Sequence, residues 1–113
     1  MSPVSTPEVT FLRTAGAVLA LWGSADLAAD TGLPVPPPGP SARVALALNV
    51  ESPGAVDEVL AAMTAAGATV LRAAAATAWG GYTACAADPD GHVWELAHNP
   101  GFPLGEDGLP RLP

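Results

Sequence analysis

Four large apolar residues, Val44, Leu46, Leu48 and Val50, alternate with Ala45, Ala47 and Asn49. A period of two over this stretch predicts a strand with one bulky apolar face and one small, mixed face. The period then changes. Ser52 offers a capping hydroxyl, Pro53 follows at the first helical position, and Val56, Val59, Leu60 and Met63 recur at i, i+3, i+4 and i+7. This predicts an amphipathic helix, with Asp57 and Glu58 early in it and Gly67 as its stop. Residues 69–72 read as a short strand, and 73–78 as a connection with no pattern that types it. Segments 81–87 and 92–97 read as two strands joined through Asp88-Pro89-Asp90-Gly91. Asp88 can accept from the backbone two residues on, Pro89 fixes its own φ, and Gly91 tolerates the positive φ that closes a three-residue loop. That is a tight hairpin with a type I turn and a G1 bulge. Residues 43–98 are therefore strand, helix, strand, strand, strand, an α+β unit.

The N-terminal part is shorter and less regular. Residues 1–8 are rich in Ser, Pro and Thr and read as a disordered start. Residues 9–13 and 17–22 read as a hairpin turning at Ala15-Gly16. Residues 24–31 can hold a short helix capped by Ser24 and closed by Gly32. Five prolines between positions 34 and 40 forbid helix and ladder alike, so 33–42 is an extended connector. Residues 99–113 hold four prolines and three glycines and read as a tail. Laying Gly16 on Gly91 aligns Ala17-Val18-Leu19-Ala20-Leu21-Trp22 with His92-Val93-Trp94-Glu95-Leu96-Ala97, so residues 9–22 repeat the final hairpin of the larger unit, with Ala20 on Glu95.

Composition narrows the class. A chain of 113 residues, half of them apolar, makes one domain. Much of the apolar fraction is alanine, so the core volume is modest. A net charge of −7 with four basic residues disfavours nucleic acid and anionic membranes as partners. The single cysteine, Cys85, excludes an internal disulfide and fits a reducing compartment. No stretch has the apolar length of a membrane span, and the N-terminus lacks the basic start and apolar core of a signal peptide. A cytoplasmic protein is expected.

A βαβββ unit that ends in Asp88-Pro89-Asp90-Gly91-His92-Val93-Trp94-Glu95-Leu96 resembles the second module of the vicinal-oxygen-chelate superfamily, the group of glyoxalase I, the bleomycin-resistance proteins and the extradiol dioxygenases. Trp79-Gly80-Gly81-Tyr82 before the hairpin and Ala97-His98-Asn99-Pro100 after it extend the match, which covers roughly residues 9–104. The resemblance implies one glyoxalase-like domain with two modules curled around a shared cleft. The first module is shortened here to its final hairpin, within residues 9–32. Metal-dependent members carry one ligand on each of four strands. On this chain the first position has no counterpart, the second falls on Ala20 and the third on Ala45. Only Glu95, at the fourth, has a ligating side chain. One carboxylate does not hold a divalent metal with open positions for substrate, so no metal and no cofactor are expected.

Strand parity then sorts the candidate ligand-binding residues. With a loop of Pro89-Asp90-Gly91, Asp88 pairs with His92 and Cys85 lies opposite Glu95. Thr83, Cys85, Val93, Glu95 and Ala97 share one face, and Tyr82, Ala84, Ala86, Trp94 and Leu96 share the other, which suits the helix. A slip of one residue reverses the assignment. The Ala45/Ala47/Asn49 face joins Glu95 and Cys85 in the cleft, and Trp22 and Trp79 are candidates to stack on a flat ligand. Cys85 has no basic neighbour in sequence to lower its pKa and is not a nucleophile candidate. His92 and His98 read as surface or capping residues. The expected function is metal-free binding of a small apolar or aromatic molecule. The competing expectations are a metal-dependent enzyme of glyoxalase or dioxygenase type, and a remnant without a working site. The missing strands leave an unpaired edge and an uncovered face, which predicts a homodimer.

Overall fold

In the computed structural model, which describes residues 5–13, 16–35 and 43–112, the chain forms two sheets and two helices. The first sheet is a two-stranded antiparallel hairpin of β1 (Val9–Arg13) and β2 (Val18–Trp22), with Phe11 opposite Ala20. Helix α1 (Ser24–Thr31) follows. The second sheet contains β3 (Ala45–Asn49), β4 (Thr69–Ala76), β5 (Tyr82–Ala87) and β6 (Val93–His98) in the order β3-β6-β5-β4, with helix α2 (Pro53–Ala65) between β3 and β4 in the chain. Strands β3 and β6 run parallel, as a strand–helix–strand crossover requires, and the remaining neighbours are antiparallel.

The expected βαβββ unit is present and its local signals act as the sequence predicts. Ser52 caps α2 by accepting from the Ala55 N–H at 3.0 Å, with Pro53 at the helix start. The helix buries Val56 against Ala84 and Leu96, with Val59, Leu60, Met63 and Tyr82 packed around them. That is the parity assigned to the hairpin. Asp88 organises the turn. Its carboxylate accepts from the Asp90 N–H at 3.0 Å, the His92 N–H at 2.9 Å and Trp94 Nε1 at 3.1 Å. Gly91 takes φ 88°, which an L side chain rarely adopts. Burial raises the Asp88 carboxyl, but these donors outweigh it and hold the group below the ordinary range.

Four local expectations need correction. Ser24 is the first residue of α1 rather than its cap; Gly23 holds the cap position without a side-chain bond, while Gly32 closes the helix at φ 76° as expected. β4 runs through residues read as an untyped connection. Its register shifts between Val70 and Arg72 and again between Arg72 and Ala75, and the extra residues break the alternation that marks a strand. The last two strands each begin one residue later than expected. The C-terminal segment is folded: Phe102 packs edge-on to Phe11 with ring centroids 5.1 Å apart, Arg111 N–H donates to Pro103 O at 2.9 Å, and Leu104 bridges Pro110. The start is partly described: Ser5 Oγ accepts from the Phe11 N–H at 2.9 Å, and the Thr6 N–H donates to Val9 O at 2.8 Å. Residues 1–4, Ala15 of the first turn and 36–42 of the connector lie outside the described residues.

Candidate functional site

The larger sheet has two faces with different chemistry. Its α2 face is apolar. The opposite face carries Glu95, flanked along β6 by Val93 and Ala97 and paired across the ladders with Cys85 on β5 and Ala47 on β3. Ala45 and Asn49 extend this face along β3, opposite Val93 and Ala97. Small side chains therefore surround one carboxyl.

Two residues join Glu95 that no sequence pattern marks. Arg72 arrives from β4 because the register shifts on either side of it set it opposite Cys85. Asp30 arrives from α1, which lies against this face with Ala28 and Thr31 buried. The Arg72 guanidinium ties the elements together. Nε donates to the Asp30 main-chain O at 2.7 Å, Nη1 to Thr83 O at 3.3 Å, and Nη2 lies 3.5 Å from Asp30 Oδ1 and 3.3 Å from Cys85 Sγ. The Arg72 and Asp30 side chains keep 28% and 24% of their exposure, so the ion pair is partly shielded from water without being sealed. Glu95 completes the group, its carboxyl lying next to that of Asp30.

The electrostatics follow from this packing. Burial and then the Asp30 charge push the Glu95 carboxyl up to about 7, with Arg72 pulling the other way. Near neutrality Glu95 is thus divided between its protonated and its charged form. Burial raises the Cys85 thiol to about 11, despite the opposing pull of Arg72. Cys85 is fully buried and stays a thiol, although the fold gives it a basic partner that its sequence neighbours do not, Arg72 at 3.3 Å from Sγ.

The donor set does not fit a catalytic divalent metal. Among the described residues no three His, Cys, Asp or Glu side chains are grouped to hold one. The positive charge beside the two carboxyls is the guanidinium of Arg72, which already engages Asp30 Oδ1. The site is built for hydrogen bonding: a carboxyl that can donate, a carboxylate and a forked cation, next to small apolar residues.

The other expected site residues are dispersed. Asn49 shares the Glu95 face at the end of β3. Trp22 lies in the other sheet, opposite Val9. Trp79 stands in the β4–β5 turn, 56% exposed, with its ring over Gly81, where a Cβ would collide with it. Neither tryptophan enters the hydrogen-bonded cluster. His98 Nδ1 is 3.3 Å from Val50 O and joins β6 to the end of β3. A depression of about 290 Å³ opens nearby between Val50, Glu51, His98, Phe102 and Leu104, and one of about 150 Å³ between Arg13, Val18 and Pro110; neither includes a cluster residue.

Comparison with known proteins agrees with this fold. The family model described as Glyoxalase/Bleomycin resistance protein/Dioxygenase superfamily matches residues 6–96. A crystal structure of a glyoxalase-related enzyme from Fulvimarina pelagi is 39% identical, covering 99% of this chain and 79% of that one, with a TM-score of 0.60. A glyoxalase/bleomycin resistance protein/dioxygenase family enzyme from Burkholderia phytofirmans PsJN is 22% identical over 84% of this chain and 74% of its own, with a TM-score of 0.50, and shares the fold. No curated protein matches the chain.

Proposed function

The chain belongs to the glyoxalase/bleomycin resistance protein/dioxygenase superfamily, and from that premise we propose that it binds a small apolar or aromatic molecule, without a metal, on the Glu95 face of its larger sheet. The observation that carries this reading is the company Glu95 keeps. By the resemblance, the second and third ligand positions of metal-dependent members fall on Ala20 and Ala45, and the Glu95 carboxyl lies next to Asp30, which pairs with Arg72. Ala45 and Ala47 on β3, beside the buried Val93 and Ala97 of β6, present a small apolar surface next to the polar cluster, which supplies a single anchor for a ligand's head. Asn49 and Cys85 line the same patch. Trp22 and Trp79 are proposed only as peripheral contacts.

We further propose a homodimer, since Leu46 and Leu48 on β3 and Leu19 and Leu21 on β2 remain 43–56% exposed on short strands. A cytoplasmic setting fits the reduced, buried Cys85; among the described residues no helix is long and apolar enough to cross a membrane.

Chelator-treated protein titrated with a panel of small aromatic compounds, read by tryptophan fluorescence, tests the function. Saturable binding that chelator leaves intact and that Arg72→Gln weakens by roughly tenfold, the worth of one charge-assisted hydrogen bond, supports it. Because the Fulvimarina pelagi protein is described as an enzyme, the competing reading is lyase or dioxygenase activity. Stoichiometric tight binding of Zn²⁺, Ni²⁺, Mn²⁺ or Fe²⁺, with an activity lost in Glu95→Gln, would replace the binding reading with that one.

A further inference from the structure

The polar groups beneath α1 are arranged as a receptor for a carboxylate, and the carboxylate they hold is the protein's own. Arg72 faces Asp30 through two guanidinium nitrogens, Nε on the main-chain oxygen at 2.7 Å and Nη2 on Oδ1 at 3.5 Å. Glu95, opposite Cys85 in the ladder, brings its carboxyl next to the same side chain from β6. A guanidinium on one side and a carboxyl donor on the other is the pattern that recognises a planar, singly charged head group. Both receptor groups stand on strands of the larger sheet. The occupant stands on an eight-residue helix bounded by Gly23 and Gly32, and its side chain remains 24% exposed. At 3.5 Å and part-exposed, the Asp30–Arg72 ion pair is a weak one of its type, within reach of displacement.

We propose that Asp30 is a built-in occupant of a carboxylate-binding site: Arg72 and Glu95 receive the carboxylate of a small organic acid, and Asp30 holds the site closed in the free protein. This rests on the reading that the Glu95 face binds a small molecule, and it names that molecule's chemical class. The apolar body of the acid lies along Ala45 and Ala47 of β3, next to the buried Val93 and Ala97 on the same face. One cation serves the site and the chain carries a net charge of −7, so a monocarboxylate fits and a polyanion such as a phosphate ester is repelled. The acid competes with Asp30, so the wild-type protein is the weak binder.

The experiment uses benzoate, phenylacetate and hexanoate with their uncharged amides, titrated by calorimetry into wild type, Asp30→Ala and Asp30→Asn at one ionic strength. The isosteric Asn variant serves if the alanine variant does not fold. Removing the resident charge is expected to tighten the acids at least tenfold and to leave the amides within about twofold, whereas Arg72→Gln abolishes the preference for acids. In wild type, amide resonances of α1 shift together with those of β6 as the acid displaces Asp30. If acids and amides bind alike in every variant, or α1 stays unperturbed while β6 responds, the carboxylate proposal is overturned and small-molecule binding stands. If neither acids nor amides bind any variant, both are overturned.

Discussion

Glu95 lies beside the Asp30 carboxylate that pairs with Arg72, and burial decides which protonation state the folded chain prefers. Its carboxyl rises from the ordinary 4.5 to about 7. The unfolded chain therefore releases this proton near 4.5 and the folded chain only near 7. Between those values the native state binds more protons, so stability falls as pH rises, and it levels off above 7. The full effect is at most about 3 kcal/mol, since one pKa unit is worth about 1.4 kcal/mol. Glu95→Gln removes the titrating group while keeping a hydrogen-bonding head. Urea unfolding at pH 5 and pH 8 is expected to show the wild type losing stability across this window and the variant losing less by roughly 2–3 kcal/mol. Equal losses in both proteins would show that Glu95 does not carry the proton.

The elements show what the sequence made legible. The Asp88-Pro89-Asp90-Gly91 turn set the register that puts Cys85 opposite Glu95, because the G1 geometry leaves one way to close the ladder. The capping Ser52 and the period of Val56, Val59, Leu60 and Met63 fixed which face α2 covers. Arg72 was hidden by the same logic. Its strand departs from alternation where the register shifts, so the residue reaches the Glu95 face only through irregular backbone. Asp30 was hidden by distance: 42 residues separate it from Arg72, and no local period encodes that contact. The α2 cap carries a prediction of its own. Ser52→Ala is expected to cost about 1 kcal/mol by chemical denaturation, and a change below ~0.3 kcal/mol would mean that the tertiary packing of Val56 alone sets the helix start.

At the scale of the whole molecule, the core is small and β3 stands at an edge of the larger sheet. Among the described residues, Val56, Ala84 and Leu96 form the fully buried cluster between α2 and the sheet, and α2 leaves Leu46 and Leu48 of β3 at 49% and 43% exposure. Leu96→Ala should therefore cost about 2–5 kcal/mol, a large part of the stability of a domain this size. A second copy is the occupant proposed for the β3 edge. Light scattering is expected to give a dimer, and Leu46→Glu with Leu48→Glu a monomer; a wild-type monomer at high micromolar concentration would contradict that.

The central claim is that the Glu95 face binds a small molecule without a metal, and amide NMR of the chelator-treated protein titrated with small aromatic compounds tests it most directly. The account predicts saturable shifts grouped at Ala45, Ala47, Val93, Ala97 and the α1 residues around Asp30. Shifts confined to the depression formed by Val50, Glu51, His98, Phe102 and Leu104, or shifts that appear only after a divalent metal is added, would contradict it.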